Sequence, residues 1–206
     1  MDPVLRTVES YDIIAESYSK NTMELSDRDF QEKMIDRTLR SLPHDPHIID
    51  MGCGDGRDTA YLKSKGTDVV GIDLSKNMVR VARKKYPDCT FLQMDMRETV
   101  FPDGTFDCAW ASASIINLPK NSLNTLEKEV FRILADEGVF AFSFKIGEKE
   151  GFEEHDYAQG HPRYFSYYTL DELKERFNRV VIYDSVKYPK KLFDSEFMYC
   201  WAKKGK

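Results

Sequence analysis

The sequence predicts an α/β layered fold with a mostly parallel sheet and right-handed crossovers, on three observations. From His47 onward, short apolar runs alternate with segments of helical period. The first of these runs ends in a cluster of glycines, which suits a buried parallel strand turning into a helix. Residues 1–42 carry helical periodicity alone, so they stand outside the alternation as a helical cap.

The chain has 206 residues, which at about 150 residues per domain is one domain with decoration. A chain of this length buries about 70% of the surface its unfolded form exposes. Hydrophobic residues at 41% and charged residues at 32% place it in the folded class. No window approaches roughly 18 uninterrupted apolar residues, so no membrane span is expected. The start, MDPVLRTVESYD, has neither the basic beginning nor the apolar run of a secretory signal, and a cytoplasmic location is expected. Net charge is −5, from 30 Lys and Arg against 35 Asp and Glu. That balance disfavours a dedicated nucleic-acid binder, because phosphate neutralisation needs a basic surface. Cys53, Cys89, Cys108 and Cys200 have no C-x-x-C spacing and read as reduced thiols, and no metal site is assigned.

Each element has its own warrant. Val4, Leu5, Val8, Tyr11, Ala15 and Tyr18 form one stripe of an amphipathic helix. Ser26-x-x-Asp29 resembles a capping box opening a second helix with Phe30, Met34, Ile35 and Leu39 on its buried face. Pro43 and Pro46 end it. Strands are expected over 47–51, 68–73, 90–94, 106–112 and 138–145. The helices between them cover 57–65, the segment capped by Ser75, and the one carrying Leu123, Leu126, Val130, Ile133 and Leu134. Residues 146–168 are polar, aromatic and glycine-containing, too long for an ordinary connection, and read as a lid or acceptor loop. Thr169-x-x-Glu172 caps a short helix, and strands over 179–186 and 197–203, joined by a Pro-Lys-Lys turn, close the chain as an antiparallel pair. The whole is one domain: cap helices over 1–42, a ligand-binding core over 47–145, the lid over 146–168, and a closing helix and strands over 169–206.

The loop Asp50-Met51-Gly52-Cys53-Gly54-Asp55-Gly56-Arg57 carries the chemistry. Glycines at a strand-to-helix turn let the backbone approach a ligand, and such crevices are where doubly wound sheets bind. A dinucleotide site calls for G-x-G-x-x-G. Here the pattern is G-x-G-x-G followed by Arg57, and Asp50 precedes the loop. A carboxylate there opposes a pyrophosphate and tolerates an ammonium or sulfonium, so a cationic nucleoside is favoured over NAD.

The run I-I-D-M-G-C-G-D-G-R-D resembles motif I of class I S-adenosylmethionine-dependent methyltransferases of small-molecule type. Further motifs recur in order. Val69 to Ser75 resembles the second-strand motif and Gln93-Met94-Asp95-Met96 the adenine-recognition segment. Phe106 to Trp110 with Ser112 resembles the fourth strand, Val130 to Leu134 with Gly138 the approach to the fifth, and Tyr11-Asp12-x-x-Ala15-x-x-Tyr18 the N-terminal cap helix. The resemblance spans about residues 11–145. It implies a Rossmann-like seven-stranded, mostly parallel sheet with helices on both faces and an antiparallel last strand. It also implies S-adenosyl-L-methionine as cofactor and methyl transfer as activity.

On that resemblance Gly52, Cys53 and Gly54 cradle the donor, Asp73 takes the ribose hydroxyls, and Asp95 with the Met96 amide recognises adenine. Leu74 and Met78 flank the adenine ring, and Ser112 lies beneath the methionine moiety. Tyr11 and Tyr18 point from one face of the cap helix toward the crevice. Arg57 at a helix start opposes the macrodipole and needs a partner, either Asp50 or Asp12, or the donor's carboxylate. Arg83-Lys84-Lys85 reads as a solvated complement to a helix C-terminus. No catalytic residue is assigned, since the sulfonium is already activated and many relatives place a histidine where this chain has Asn117. Acceptor-pocket candidates are Asn117, Lys145, His161, Arg163 and Tyr167, within a lid that also holds His155, Tyr157, Tyr164 and Tyr168. Lys145 and Arg163 make an anionic group a candidate feature of a small-molecule acceptor. The other readings are a non-catalytic S-adenosylmethionine-binding module, a tRNA or protein methyltransferase, and an NAD-dependent oxidoreductase.

Overall fold

The computed structural model describes residues 2–25, 27–189 and 195–205. Ser26, Lys190, Lys191 and the Tyr157 side chain lie outside the described residues. Two helices open the chain, α1 (Pro3–Leu25) and α2 (Arg28–Leu39). The alternating core follows as β1 (His47–Met51), α3 (Arg57–Ser64), β2 (Asp68–Asp73), α4 (Lys76–Lys85), β3 (Thr90–Gln93), β4 (Phe106–Ala111), α5 (Leu123–Ile133) and β5 (Leu134–Ile146). The remainder is β6 (Glu150–Glu153), β7 (Arg163–Tyr168), α6 (Leu170–Arg176), β8 (Val180–Lys187) and β9 (Phe197–Lys204).

Strands β3, β2, β1, β4 and β5 lie side by side in parallel. Strand β9 pairs antiparallel with β5, and β8 with β9. These seven make the expected sheet. Successive residues of the central strands serve opposite faces, as the period of a strand requires. Ile49, Met51, Ile72 and Phe142 pack with Leu126 and Val130 of α5. Ile48, Val69, Trp110 and Trp201 pack on the other face with Met34 and Ile35 of α2 and Leu62 of α3. The strands are continuous apolar runs because helices cover both faces.

Four expectations change. The cap of α2 is Asp27, whose side chain accepts the Phe30 amide, one residue on from the expected Ser26. Leu5 is 55% exposed and leaves the stripe of α1, while Thr7 and Ser10 are buried in it. The reason is what they meet: Ser10 Oγ donates to the Pro162 carbonyl at 2.7 Å, and the Tyr164 amide donates to Thr7 Oγ1 at 2.9 Å. Strand β5 begins at Leu134, ahead of the expected 138, because Leu134 pairs with Phe106 before a bulge resets the register to Cys108↔Val139.

Residues 146–168 are the largest difference. They form an antiparallel hairpin, with Glu150↔Ser166 through Glu153↔Arg163 in register. Its second strand, β7, joins β5 in parallel at Lys145↔Tyr167 and Ile146↔Tyr168. Since Lys145 also pairs with Phe197 of β9, β7 occupies the edge of β5 that β4 vacates after Ala111. The sheet forks there, giving nine strands among the described residues.

Candidate active site

The glycine loop leaves β1 at the carboxyl end of the sheet. Gly52 has φ +78, and a Cβ there would sit 2.4 Å from the Ser114 Cβ. Gly56 has φ +84, and a Cβ there would meet the Phe91 ring at 2.5 Å. Gly56 thus serves the close helix packing that the third glycine of a dinucleotide loop serves. Gly54, with φ +54, is different: a Cβ on it would meet nothing within 4 Å. Its freedom is used for the turn and for leaving space on the ligand side.

A cavity of about 210 Å³ opens above this loop. Gly52, Cys53, Gly54 and Arg57 border it, as do Asp50 and Asp73 from the ends of β1 and β2. Leu74, Met78, Asp95 and Met96 border it from one side, and Ser112 from the end of β4. Tyr11 and Tyr18 close it from α1, their rings edge to face at 5.4 Å. Every residue assigned to the donor in the sequence therefore meets at one place.

The electrostatics fit a cationic nucleoside. Asp73 Oδ2 accepts the Gly54 amide and Oδ1 the Ser75 amide, each at 2.9 Å. Burial pushes its carboxyl up to about 6, against the pull of those two amides. Asp50 is buried beneath the loop, where burial and the neighbouring Asp58 hold its carboxyl well above the usual range and the Thr59 hydroxyl at 2.6 Å pulls it down. Both groups gain from a positive ligand. Asp95 is held by Arg97 through Nε at 3.0 Å and Nη2 at 2.6 Å. Burial alone would raise its carboxyl, but the Arg97 hydrogen bonds outweigh that and hold it low. Burial and Asp50 push the Cys53 thiol up, so it is no nucleophile.

Arg57 lies beside Asp58 at 3.9 Å, and the partners expected for it, Asp50 and Asp12, are engaged elsewhere. Asp12 Oδ1 accepts Ser75 Oγ at 2.6 Å and the Asn77 amide at 3.0 Å, pinning α1 to the start of α4. The run expected in solvent is put to use as well: Arg83 Nη2 donates to the Phe91 carbonyl and Lys85 Nζ to Asp55.

Of the acceptor candidates only Asn117 borders the cavity. Its Oδ1 accepts the Tyr11 hydroxyl at 3.1 Å and its Nδ2 donates to the Tyr164 carbonyl at 2.8 Å. Lys145, His161, Arg163 and Tyr167 do not border it. Lys145 is buried over the Phe165 ring at 3.8 Å and bonds the Tyr167 hydroxyl at 3.2 Å and Glu153 at 3.4 Å. Arg163 lies buried between the Tyr11 and Phe165 rings. Arg163 stacks the hairpin against Tyr11 of α1, and Lys145 is held within the hairpin by Glu153, Tyr167 and Phe165, so neither cation borders the cavity. His155 is driven down to about 4 by burial and by Arg163. Among the described residues, the expected lid reaches the cavity through α1 and Asn117.

The cavity also takes side chains that sequence reasoning missed. Asp58 accepts from Gln31 Nε2 at 2.6 Å and Trp110 Nε1 at 3.0 Å. Phe30, Tyr188, Phe197 and Tyr199 come from α2 and the last strands. The period-2 pattern Phe197-x-Tyr199-x-Trp201 was the available signal, since it places these rings on one face of a strand beside β5.

The glycine turn, the carboxylate ending β2 and the strand order give the Rossmann-like fold that class I methyltransferases share. Residues 48–138 match the family model described as a methyltransferase domain. The chain is 40% identical over 117 residues to YqeM of Bacillus subtilis (strain 168), named as a methyltransferase, covering 52% of this chain and 47% of that protein. The chain spans about half the length of the first curated relatives it matches. Among solved structures, an S-adenosylmethionine-dependent methyltransferase from Clostridium acetobutylicum ATCC 824 superposes with a TM-score of 0.74 at 18% identity, covering 95% of this chain and 99% of that one. The 1,6-didemethyltoxoflavin-N1-methyltransferase of Burkholderia thailandensis, bound to its namesake substrate and S-adenosylhomocysteine, gives 0.73 at 18% identity, covering 97% and 88%. At these identities the likeness is one of fold. No helix among the described residues is long and apolar enough to cross a membrane.

Proposed function

We propose that this protein transfers a methyl group from S-adenosylmethionine to a small-molecule acceptor. One observation carries the reading: the residues that the motifs assign to the donor, from Tyr11 to Ser112, border a single cavity at the carboxyl end of the sheet. When bound, the sulfonium supplies an electrophilic methyl. The acceptor's lone pair forms the new bond to carbon while the carbon–sulfur pair returns to sulfur, leaving the neutral thioether and releasing the acceptor's proton to water.

The chain's own residues then have defined tasks. Asp73 accepts the ribose hydroxyls, and Leu74 and Met78 flank the adenine. Asp50 and Asp58 face the ammonium and sulfonium end with negative charge. Tyr11 and Tyr18 cover the donor and exclude water, with Asn117 fixing Tyr11. Orientation of this kind supplies roughly 7–11 kcal/mol in well-aligned reactions, so no general base is required of the protein.

Calorimetry with S-adenosylmethionine, S-adenosylhomocysteine and NAD tests the donor, and formation of S-adenosylhomocysteine with an acceptor panel tests the transfer. Binding of NAD alone would sink the reading. Donor binding without turnover across amines, thiols, phenols and carboxylates would leave a non-catalytic binding module.

A further inference from the structure

The acceptor end of the cavity has a chemistry of its own, and an acceptor class assigned from it rests on methyl transfer being the reaction. Beyond the residues assigned to the donor, the wall is made by Val4, Phe30, Leu118, Tyr188 and Phe197. Phe30 and Tyr188 meet edge to face at 4.5 Å, and Phe30 lies 5.8 Å from Tyr199. Packed on one another, these rings present an apolar wall against which a flat body can lie.

Charge narrows the choice. Asp27, Asp50, Asp55, Asp58, Asp73 and Asp95 border the cavity, against Arg57 as the cation bordering it among the described residues. Arg57 sits at the donor end beside Asp58. Asp27 is the carboxylate next to the aromatic wall, and burial together with Asp27 pushes the Tyr188 hydroxyl up to about 12. The two helix N-termini that reach this end, otherwise ready anion sites, are each filled by their own carboxylate. Asp2 accepts the Val4 amide at 2.8 Å and Asp27 the Phe30 amide at 3.1 Å. A carboxylate or phosphate on the acceptor would enter a wall carrying Asp27, with Arg57 already beside Asp58.

We propose that the acceptor is a flat nitrogen compound, an aromatic amine or nitrogen heterocycle, neutral or positively charged. Its ring is held by Phe30, Tyr188 and Phe197, and an N–H or ammonium group pairs with Asp27. Asp27 is a specificity residue in this scheme, since it touches the acceptor away from the reacting carbon.

The test uses the full chain loaded with S-adenosylhomocysteine, after calorimetry has shown that the thioether binds. Ligand-observed NMR then screens matched aromatic probes: tryptamine against indole-3-acetate, benzylamine against benzoate, and nicotinamide against nicotinate. The amines and nicotinamide are expected to bind and the carboxylates not. Asp27→Asn keeps a good helix cap, so the fold is retained. It is expected to weaken the amines about fivefold, as loss of a partly exposed ion pair would, and to weaken nicotinamide less, since its N–H can still donate to the Asn oxygen. Phe30→Leu is expected to weaken every probe that binds. Preference for the carboxylates, binding by none of the probes, or equal loss of amines and nicotinamide in Asp27→Asn would overturn the proposal while the donor reading stands. Failure of the thioether itself to bind would overturn the donor reading, and this proposal with it.

Discussion

Asp73 holds a charge that its burial disfavours, and the consequence is a pH dependence with a definite sign. Its carboxyl titrates near 6, against an ordinary value of 3.8. Between those values the folded, unliganded protein binds more protons than the unfolded chain. Asp73 therefore contributes stability below about pH 4 that is lost as pH rises through 6. On the proposed function donor binding runs the other way, because an ionised Asp73 carboxylate would accept the ribose hydroxyls. Calorimetry should find S-adenosylhomocysteine affinity flat above pH 7 and falling as pH drops through 6. Asp73→Ala should weaken binding about tenfold to a hundredfold at pH 7.5, from roughly 1.5–3 kcal/mol per charged hydrogen bond, and should flatten the acid slope. An unchanged slope would move the titrating group to Asp50.

At the scale of elements, α1 is a fastened cover. Ser19 Oγ and Lys85 Nζ both bond Asp55 of the glycine loop, at 2.8 and 2.6 Å, and Asp12 caps α4. Tyr11 ties it to Asn117, and Thr7 and Ser10 tie it to the hairpin. Hydrogen exchange over residues 8–20 should slow when S-adenosylhomocysteine binds, and Tyr11→Phe should reduce that protection by about 0.5–1.5 kcal/mol, one hydrogen bond. Residues 163–168 should be protected before any ligand is added, since β6 already pairs residues 163–166 and β5 pairs 167 and 168. Free exchange there would restore the mobile loop that the sequence suggests. The core strands, Ser75 and Thr169 were legible because period and capping are local properties. The hairpin was not: β6 has four residues, and nothing in the composition of β7 names the edge of β5 as its partner. The same division holds at the site. Gly52, Gly54 and Asp73 belong to single β–α turns and declare themselves, whereas Phe30, Tyr188 and Phe197 converge only through the topology. Lys145 and Arg163 misled because a cation in an aromatic segment reads alike whether it greets a ligand or stacks inside a fold.

For the molecule as a whole, a ligand that binds only the folded state must stabilise it. At a hundred times its dissociation constant, S-adenosylhomocysteine should add about 2.7 kcal/mol. For a chain of this size that is a rise in Tm of about 5–10 °C. NAD at the same concentration should leave the thermal scan unmoved. A shift of that size with NAD and none with the thioether would reassign the crevice to a dinucleotide.

The fastening of α1 also fixes an order in time. The helix leaves the ribosome first, yet its partners Asp55, Ser75, Asn117 and Tyr164 are made later, the last of them near residue 164. At translation speeds that wait is on the order of ten seconds. Ala15 gains Met78 and Val81 to lie against once α4 is made, while Thr7 and Ser10 wait for the hairpin. A nascent chain stalled before the hairpin thus has α1 pinned to the glycine loop and α4, but lacks the hairpin and the antiparallel strands β8 and β9 that complete the sheet. It is the form of this protein a chaperone would meet.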